Sequence, residues 1–269
     1  MKNIIVIVIL LSRLSGLAQI DSGEFRYQYQ KTIDWSAFPE YFSDEQKTTL
    51  KKKLYKNFNK TFELKINGSK SIYKEKENLD SSELSLNPFF TNLTSDEGKV
   101  FKNNHVIITE QEFLGKLFLI KDSVHNFKWK VHKETKKIGQ YTTIKATTVQ
   151  KVSASNFGLW KKTSKQVDSK QLNPLDNYKI PDSISVTAWF TLDIPISNGP
   201  MEYGGLDGLI LELSFADIRV SCDKIELGKN LNTRIREPKN GEFVSQIEYE
   251  QIVTDKINEI KGYFPAKKN

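Results

Sequence analysis

Apolar and polar residues alternate with a period of two through most of this chain, and the breaks in that alternation mark its elements. Glu24 to Gln30 reads as a short extended start. Ser43-Asp44-Glu45-Gln46 has the form of a capping box, because Ser43 can accept from the third helical amide while Gln46 reaches back, and it predicts a helix to about Tyr55. Phe62-Glu-Leu-Lys-Ile66 alternates strictly. Asn67-Gly68 after it is a strong hairpin signal, with the return strand through Ser71-Ile72-Tyr73. Leu79 to Glu97, rich in Ser, Asn and Asp and without period, predicts a long loop. Between Val100 and Val149 the apolar positions Val106 and Ile108, Leu117 and Leu119, Phe127, Trp129 and Val131, then Ile144, Ala146 and Thr148 predict an antiparallel meander with one face on the core. Its turns are placed at Gly115, Asp122 and Lys136.

Ser153 to Asp182 interrupts the pattern as an insert carrying Trp160, a lysine cluster and Asn173-Pro174. Strands resume at Val186 to Leu192 and Leu209 to Phe215. In the second, Leu209, Leu211, Leu213 and Phe215 point one way and Ile210, Glu212 and Ser214 the other, the period of a half-buried strand. Ser245 can cap a last helix, along which Tyr249, Val253, Ile257, Ile260 and Phe264 follow helical spacing and predict one stripe packed on the sheet. The expected fold class is α+β: a curved antiparallel β-sheet, a half-barrel-like meander, with a helix near each end of the mature chain.

Trp189 to Phe215, WFTLDIPISNGPMEYGGLDGLILELSF, differs from everything around it. Gly199, Gly204, Gly205 and Gly208 together with Pro195 and Pro200 separate two strongly apolar runs, which predicts a tightly turned, rigid loop between two strands. The run Gly205-Leu206-Asp207-Gly208-Leu209-Ile210, preceded by Ala188-Trp189-Phe190-Thr191, Ile194-Pro195-Ile196 and Gly199-Pro200, resembles the diagnostic motif of the GLPGLI family. Lys137-Ile138-Gly139-Gln140-Tyr141, Lys145-Ala146-Thr147 and Glu237-Pro238-Lys239-Asn240-Gly241 extend the likeness, which covers the chain from about Trp129 onward. Two departures stand out: Asp207 replaces the family's proline, and Thr142-Thr143 stands where a cysteine is expected. The resemblance implies an exported envelope protein of Bacteroidetes-type bacteria, from a family without an established activity.

The N-terminus agrees with export. Lys2, the apolar run Ile4 to Leu11 and the small residues of Gly16-Leu17-Ala18 read as a signal peptide spanning 1–18, cleaved before Gln19, leaving 19–269 as a single domain with 153–182 inserted. Ser12, Arg13 and Ser15 end the apolar run too early for a membrane anchor, and no later segment is apolar enough to span a bilayer. The expected destination is the periplasm or the outer membrane. The formal net charge of +7 is spread over lysines that alternate with acids, which predicts solvated faces; without an Arg-rich or RNP-like motif no nucleic-acid partner is expected. The single cysteine, Cys222, has no partner for an internal disulfide and reads as a strand residue.

Candidate chemistry is sparse. His105, His125 and His132 lack ligand spacing, no nucleophile or phosphate-binding motif occurs, and no metal or cofactor is expected. Asp193, Glu202 and Asp207 are the only acids that a folded loop could bring together for hydrolysis; local bonding to the turn's own backbone is the competing account. Trp129, Trp189, Phe190 and Tyr203, with Tyr141, could line an apolar cavity whose mouth is the loop through Pro195, Gly199, Pro200, Gly205, Asp207 and Gly208, or could be plain core. Asp122-Ser123-Val124 and Asp182-Ser183-Ile184 match a short O-glycan acceptor pattern and equally an Asx-turn. The function expected is a non-enzymatic envelope binding or accessory protein that uses loop 194–209 toward an apolar small molecule or an outer-membrane protein partner. A hydrolase built on the same acids, or a motif that only locks the fold, are the alternatives.

Overall fold

The structure, a computed structural model, describes residues 21–32, 43–45, 48, 59–76, 98–162, 178–228 and 234–262. The segment read as a signal peptide, the loop at 79–97, half of the insert (163–177) and Phe264 lie outside these. Strands β1 (Ser22–Lys31), β2 (Asn59–Asn67), β3 (Lys70–Glu75), β4 (Lys99–Asn103), β5 (Val106–Phe113) and β6 (Lys116–Ser123) are followed by β7 (Lys130–Ile138) and β8 (Tyr141–Lys151). A 3-10 turn at Phe157–Leu159 and the short ribbon of β9 (Lys161–Lys162) and β10 (Tyr178–Lys179) come next. Then follow β11 (Ser183–Thr191), β12 (Leu209–Phe215), β13 (Ile218–Leu227), β14 (Glu242–Val244) and helix α1 (Gln246–Gly262).

Twelve strands form one sheet in the order β14-β6-β5-β4-β3-β2-β1-β13-β12-β11-β8-β7. This corrects the α+β expectation. The sheet is mixed, since β14 pairs parallel to β6, and among the described residues the one complete α-helix that accompanies it is C-terminal, where a helix near each end was expected. Of the segment expected to form the first helix, 43 to about 55, only 43–45 and 48 are described, and Asp44, Glu45 and Thr48 among them are helical. Two expected turns also move. Asp122 lies within β6 and Lys136 within β7, while the chain reverses at Asn104, at Leu114-Gly115 and at Gly139, all with positive φ. The alternation at Phe127, Trp129 and Val131 is not that of a strand: Phe127 and Trp129 lie in the connection before β7 and Val131 is exposed, while β7 itself is an edge strand whose lysines suit an exposed edge.

Chain connectivity forces the sheet to curl. β6 and β7 are ten strand spacings apart in the sheet, about 48 Å if it were flat. The six residues between them reach no more than about 25 Å. The connection 124–129 therefore crosses the concave side, carrying Phe127 and Trp129 into it.

That side holds the main core: Phe25, Tyr27 and Tyr29 of β1, Phe62, Leu64 and Ile66 of β2, Tyr73 of β3 and Val100 of β4. Near the β6 edge α1 covers the same side, laying Tyr249, Val253 and Ile257 on Phe113, Phe118 and Ile120. Its capping box is formed by Ser245 and Glu248, each side chain bonded to the other's backbone amide. The opposite side carries ion pairs such as Lys65 with Glu24 and Arg26 with Asp223. It also holds a small apolar patch of Phe101, Ile108 and Leu119 under Ile235. Cys222 is half-buried on β13, and burial pushes its thiol up to about 12.

Candidate functional site

The Gly/Pro segment between β11 and β12 folds into the concave side and does not stand out from the sheet's end. Ile194, Gly199, Pro200, Met201, Tyr203, Leu206 and Gly208 are buried, while Pro195, Gly205 and Asp207 are exposed. Its backbone bonds to itself and to the first two residues of β12. Ile196 donates to the Ile194 carbonyl, Asn198 to that of Ile196, Tyr203 to that of Pro200, Leu209 to that of Ile194 and Ile210 to that of Asn198, at 2.8–3.2 Å. The glycines answer different demands. Gly205 has φ +80 with open space around it, whereas a Cβ on Gly208 would lie 2.7 Å from the Thr191 carbonyl carbon. A Cβ on Gly199 would lie 2.9 Å from Ile210 Cβ.

The sheet holds this plug by side chains. Trp129 Nε1, from the connection before β7, donates to the Gly204 carbonyl at 2.8 Å, and beside the plug the Tyr27 hydroxyl donates to the carbonyl of Ile210 in β12 at 2.7 Å. The Tyr203 ring stacks on Phe127 with centroids 4.9 Å apart, and its hydroxyl donates to Gln150 Oε1. Burial raises both tyrosine hydroxyls well above their usual titration range. Two polar residues absent from the sequence-based candidates complete the attachment. Lys102 of β4 donates from Nζ to the Tyr203 carbonyl at 2.8 Å and to Asn198 Oδ1 at 3.1 Å. Ser71 of β3 accepts from Asn198 Nδ2 at 2.9 Å. Lys102 is only 8% exposed, and burial pulls its ammonium down to about 7, with the Glu202 carboxylate pulling weakly the other way. Strand alternation puts it on the side of Val100, but Phe101 between them is equally apolar and buried on the other side, so parity alone does not mark Lys102 as the inward residue.

The structure thus gathers Trp129, Phe190, Tyr203, Gly199, Pro200 and Gly208 around the concave core. Trp189 follows the strand alternation to the opposite side from Phe190, where Lys136 Nζ sits 4.3 Å from its ring centroid. Lys136 and Arg219 both bind Glu212 at 2.7 Å, so β12 is buried on both faces, not half-buried. Tyr141 packs at the margin of the main core. The three loop acids have separate surroundings: Asp193 accepts from the Thr191 hydroxyl, Glu202 from Gln150, and Asp207 lies exposed in its turn. Among the described residues, no cluster of three or more His, Cys, Asp or Glu could hold a metal ion. Ser123 and Ser183 are exposed, at the end of β6 and the start of β11. No described helix is long and apolar enough to cross a membrane.

Residues 129–212 match a family described as "Protein of unknown function (Porph_ging)". That span runs from Trp129 to Glu212 and so includes the whole plug, but neither Ser71 nor Lys102. No curated protein matches the chain. Among solved structures it is similar to PNGF-II at 14% identity, covering 87% of this chain and 33% of that one, with a TM-score of 0.46; the chain thus spans about a third of that protein's length. An uncharacterized conserved protein from Thermus thermophilus gives 5% identity, 90% and 99% coverage and a TM-score of 0.35. LprF from Mycobacterium bovis gives 8%, 83% and 92%, and 0.27. At these scores none bears on function.

Proposed function

We propose that this chain is a non-enzymatic binding or accessory protein of the bacterial cell envelope, of the GLPGLI type, in which segment 194–209 is the working element. The observation that carries this reading is the way the segment is attached. It fills the concave side of a curled sheet as a plug whose backbone bonds run within itself and to the first two residues of β12, and the other strands grip it through side chains. A segment held like this can leave as a unit without unpairing the strands on either side, and what it would uncover is an aromatic, apolar surface. The ligand class that suits such a surface is an apolar or amphiphilic small molecule. The hydrolase alternative loses support, because Asp193, Glu202 and Asp207 each have their own surroundings and form no paired set.

Expressed with its leader in a native-type host, the protein is expected in the envelope fraction with Gln19 at its N-terminus; intact Met1 in the cytoplasm would remove the envelope assignment. The purified protein is expected to bind the apolar fluorophore N-phenyl-1-naphthylamine saturably. Absence of saturable binding in wild type and in a variant with a weakened plug attachment, Asn198→Ala, would leave the Gly/Pro motif as a folding device only.

A further inference from the structure

Ser71 and Lys102 are register partners on adjacent strands, and both point into the concave side. Their immediate neighbours in the row are apolar, Ile66 beside Ser71 and Ile107 beside Lys102, and the row ends at the exposed Asp122 of β6. Leu64, Tyr73 and Val100 form the next row. A lysine in such a place gives up its hydration, and a plug needing only a hydrogen bond there could take it from an uncharged side chain at lower cost. Among the described residues no carboxylate pairs with Lys102; its partners are a backbone carbonyl and the Asn198 carboxamide. That carboxamide accepts from the ammonium through Oδ1 and donates to the hydroxyl of Ser71 through Nδ2. A carboxylate has the same planar shape, could accept from both groups, and would bring the negative charge the carboxamide lacks.

We propose that the Ser71–Lys102 pair is the head-group subsite for a long-chain carboxylate, a fatty-acid-like amphiphile, and that the Asn198 side chain occupies that subsite in this structure. The inference rests on the reading of segment 194–209 as a displaceable plug and adds the chemical class of its competitor. The acyl chain takes the room of Pro200, Met201 and Tyr203 against Leu64, Ile66, Tyr73 and Val100, and the carboxylate meets the ammonium and the hydroxyl. Ligand and plug then compete for the same two side chains, Lys102 donating to either and Ser71 turning from acceptor to donor, so whatever weakens the Asn198 contact raises apparent affinity.

The test is competition of dodecanoate, and separately of the uncharged dodecanol, against N-phenyl-1-naphthylamine at pH 7. Dodecanoate should outcompete dodecanol on the wild-type protein, and Asn198→Ala should tighten dodecanoate by about tenfold or more as the cost of displacing the plug falls. Lys102→Met should erase the preference for the acid. Asn198→Asp should do the opposite of Asn198→Ala: the plug then carries its own carboxylate, so melting temperature rises and dodecanoate no longer competes. Equal competition by acid and alcohol on the wild type, with Lys102→Met making no difference, would overturn the subsite while leaving the apolar site standing. A lowered melting temperature for Asn198→Asp would overturn it as well. Should Asn198→Ala fail to fold, the wild-type, Lys102→Met and Asn198→Asp comparisons still decide. No fluorophore binding by any variant would instead remove the plug reading itself.

Discussion

Alanine at Gly208 and at Gly205, three residues apart, should have very different consequences. At Gly208 the added methyl would lie 2.7 Å from the Thr191 carbonyl carbon, closer still to its oxygen, and 3.3 Å from Leu192 N. All three are backbone atoms and cannot swing aside as a side chain could. Reaching ordinary contact near 3.5 Å means separating the ends of β11 and β12, where Thr191 pairs with Leu209 and Leu209 donates to the Ile194 carbonyl at 3.0 Å. Two or so backbone hydrogen bonds at about 1 kcal/mol each are then at risk. Overpacking around the fully buried Ile194, Leu209 and Ile210 adds about 1–3 kcal/mol. A loss of roughly 4 kcal/mol follows, a large share of the roughly 5–15 kcal/mol that keeps a domain folded. At Gly205 the obstacle is only φ +80, with no atom within 4 Å of an added methyl, so the cost is about 1–2 kcal/mol. Urea unfolding followed by tryptophan fluorescence reads both, and Gly199→Ala should fall between them, because Ile210 is a side chain that can yield. Equal shifts for Gly205→Ala and Gly208→Ala would refute the argument that close backbone approach, and not turn conformation alone, dictates glycine at 208.

Lys102 titrates near 10.5 in the unfolded chain and near 7 in the fold, so between those values the unfolded state holds more protons and stability should rise with pH. The penalty is complete below about pH 7 and, taken at face value, is on the order of 5 kcal/mol. Glu202 opposes it, and the raised Tyr27 and Tyr203 hydroxyls reverse the slope at higher pH, so chemical denaturation of wild type and Lys102→Met is compared from about pH 7 to 9; parallel profiles would refute the assignment. Glu212→Ala should cost about 1–2 kcal/mol, measured the same way, because it removes the carboxylate that Lys136 and Arg219 share, while both cations keep part of their hydration. Asp193→Asn and Asp207→Asn should each stay within about 1 kcal/mol of wild type, since the first affects only the bond its carboxylate accepts from the Thr191 hydroxyl and the second an exposed side chain. A hydrolytic activity lost in either variant at unchanged melting temperature would revive the enzyme alternative.

Several elements were determined by the sequence alone, because their causes lie within a few residues of each other. Alternation over Phe62 to Ile66 and the Asn67-Gly68 turn specify the β2–β3 hairpin, where Gly68 takes φ +58. Ser245, Glu248 and the stripe Tyr249, Val253 and Ile257 specify α1. Glycine and proline after Thr191 specify a constrained connection between β11 and β12. Tertiary structure decided what no local window contains. The alternation in β12 predicts one solvated face, but Lys136 arrives from the neighbouring hairpin and Arg219 from β13 to cover it. Polar β7 shows little apolar period, because an edge strand under no cover needs none. The plug's position depends on the curl that a six-residue connection imposes on a twelve-stranded sheet, and that follows from strand order, a property of the whole chain. Lys102 was hidden for the same reason. Its neighbours across the sheet, Ser71 and Ile107, and its partner Asn198 are set by pairings with other parts of the chain, and only those pairings turn an ordinary strand lysine into a buried one.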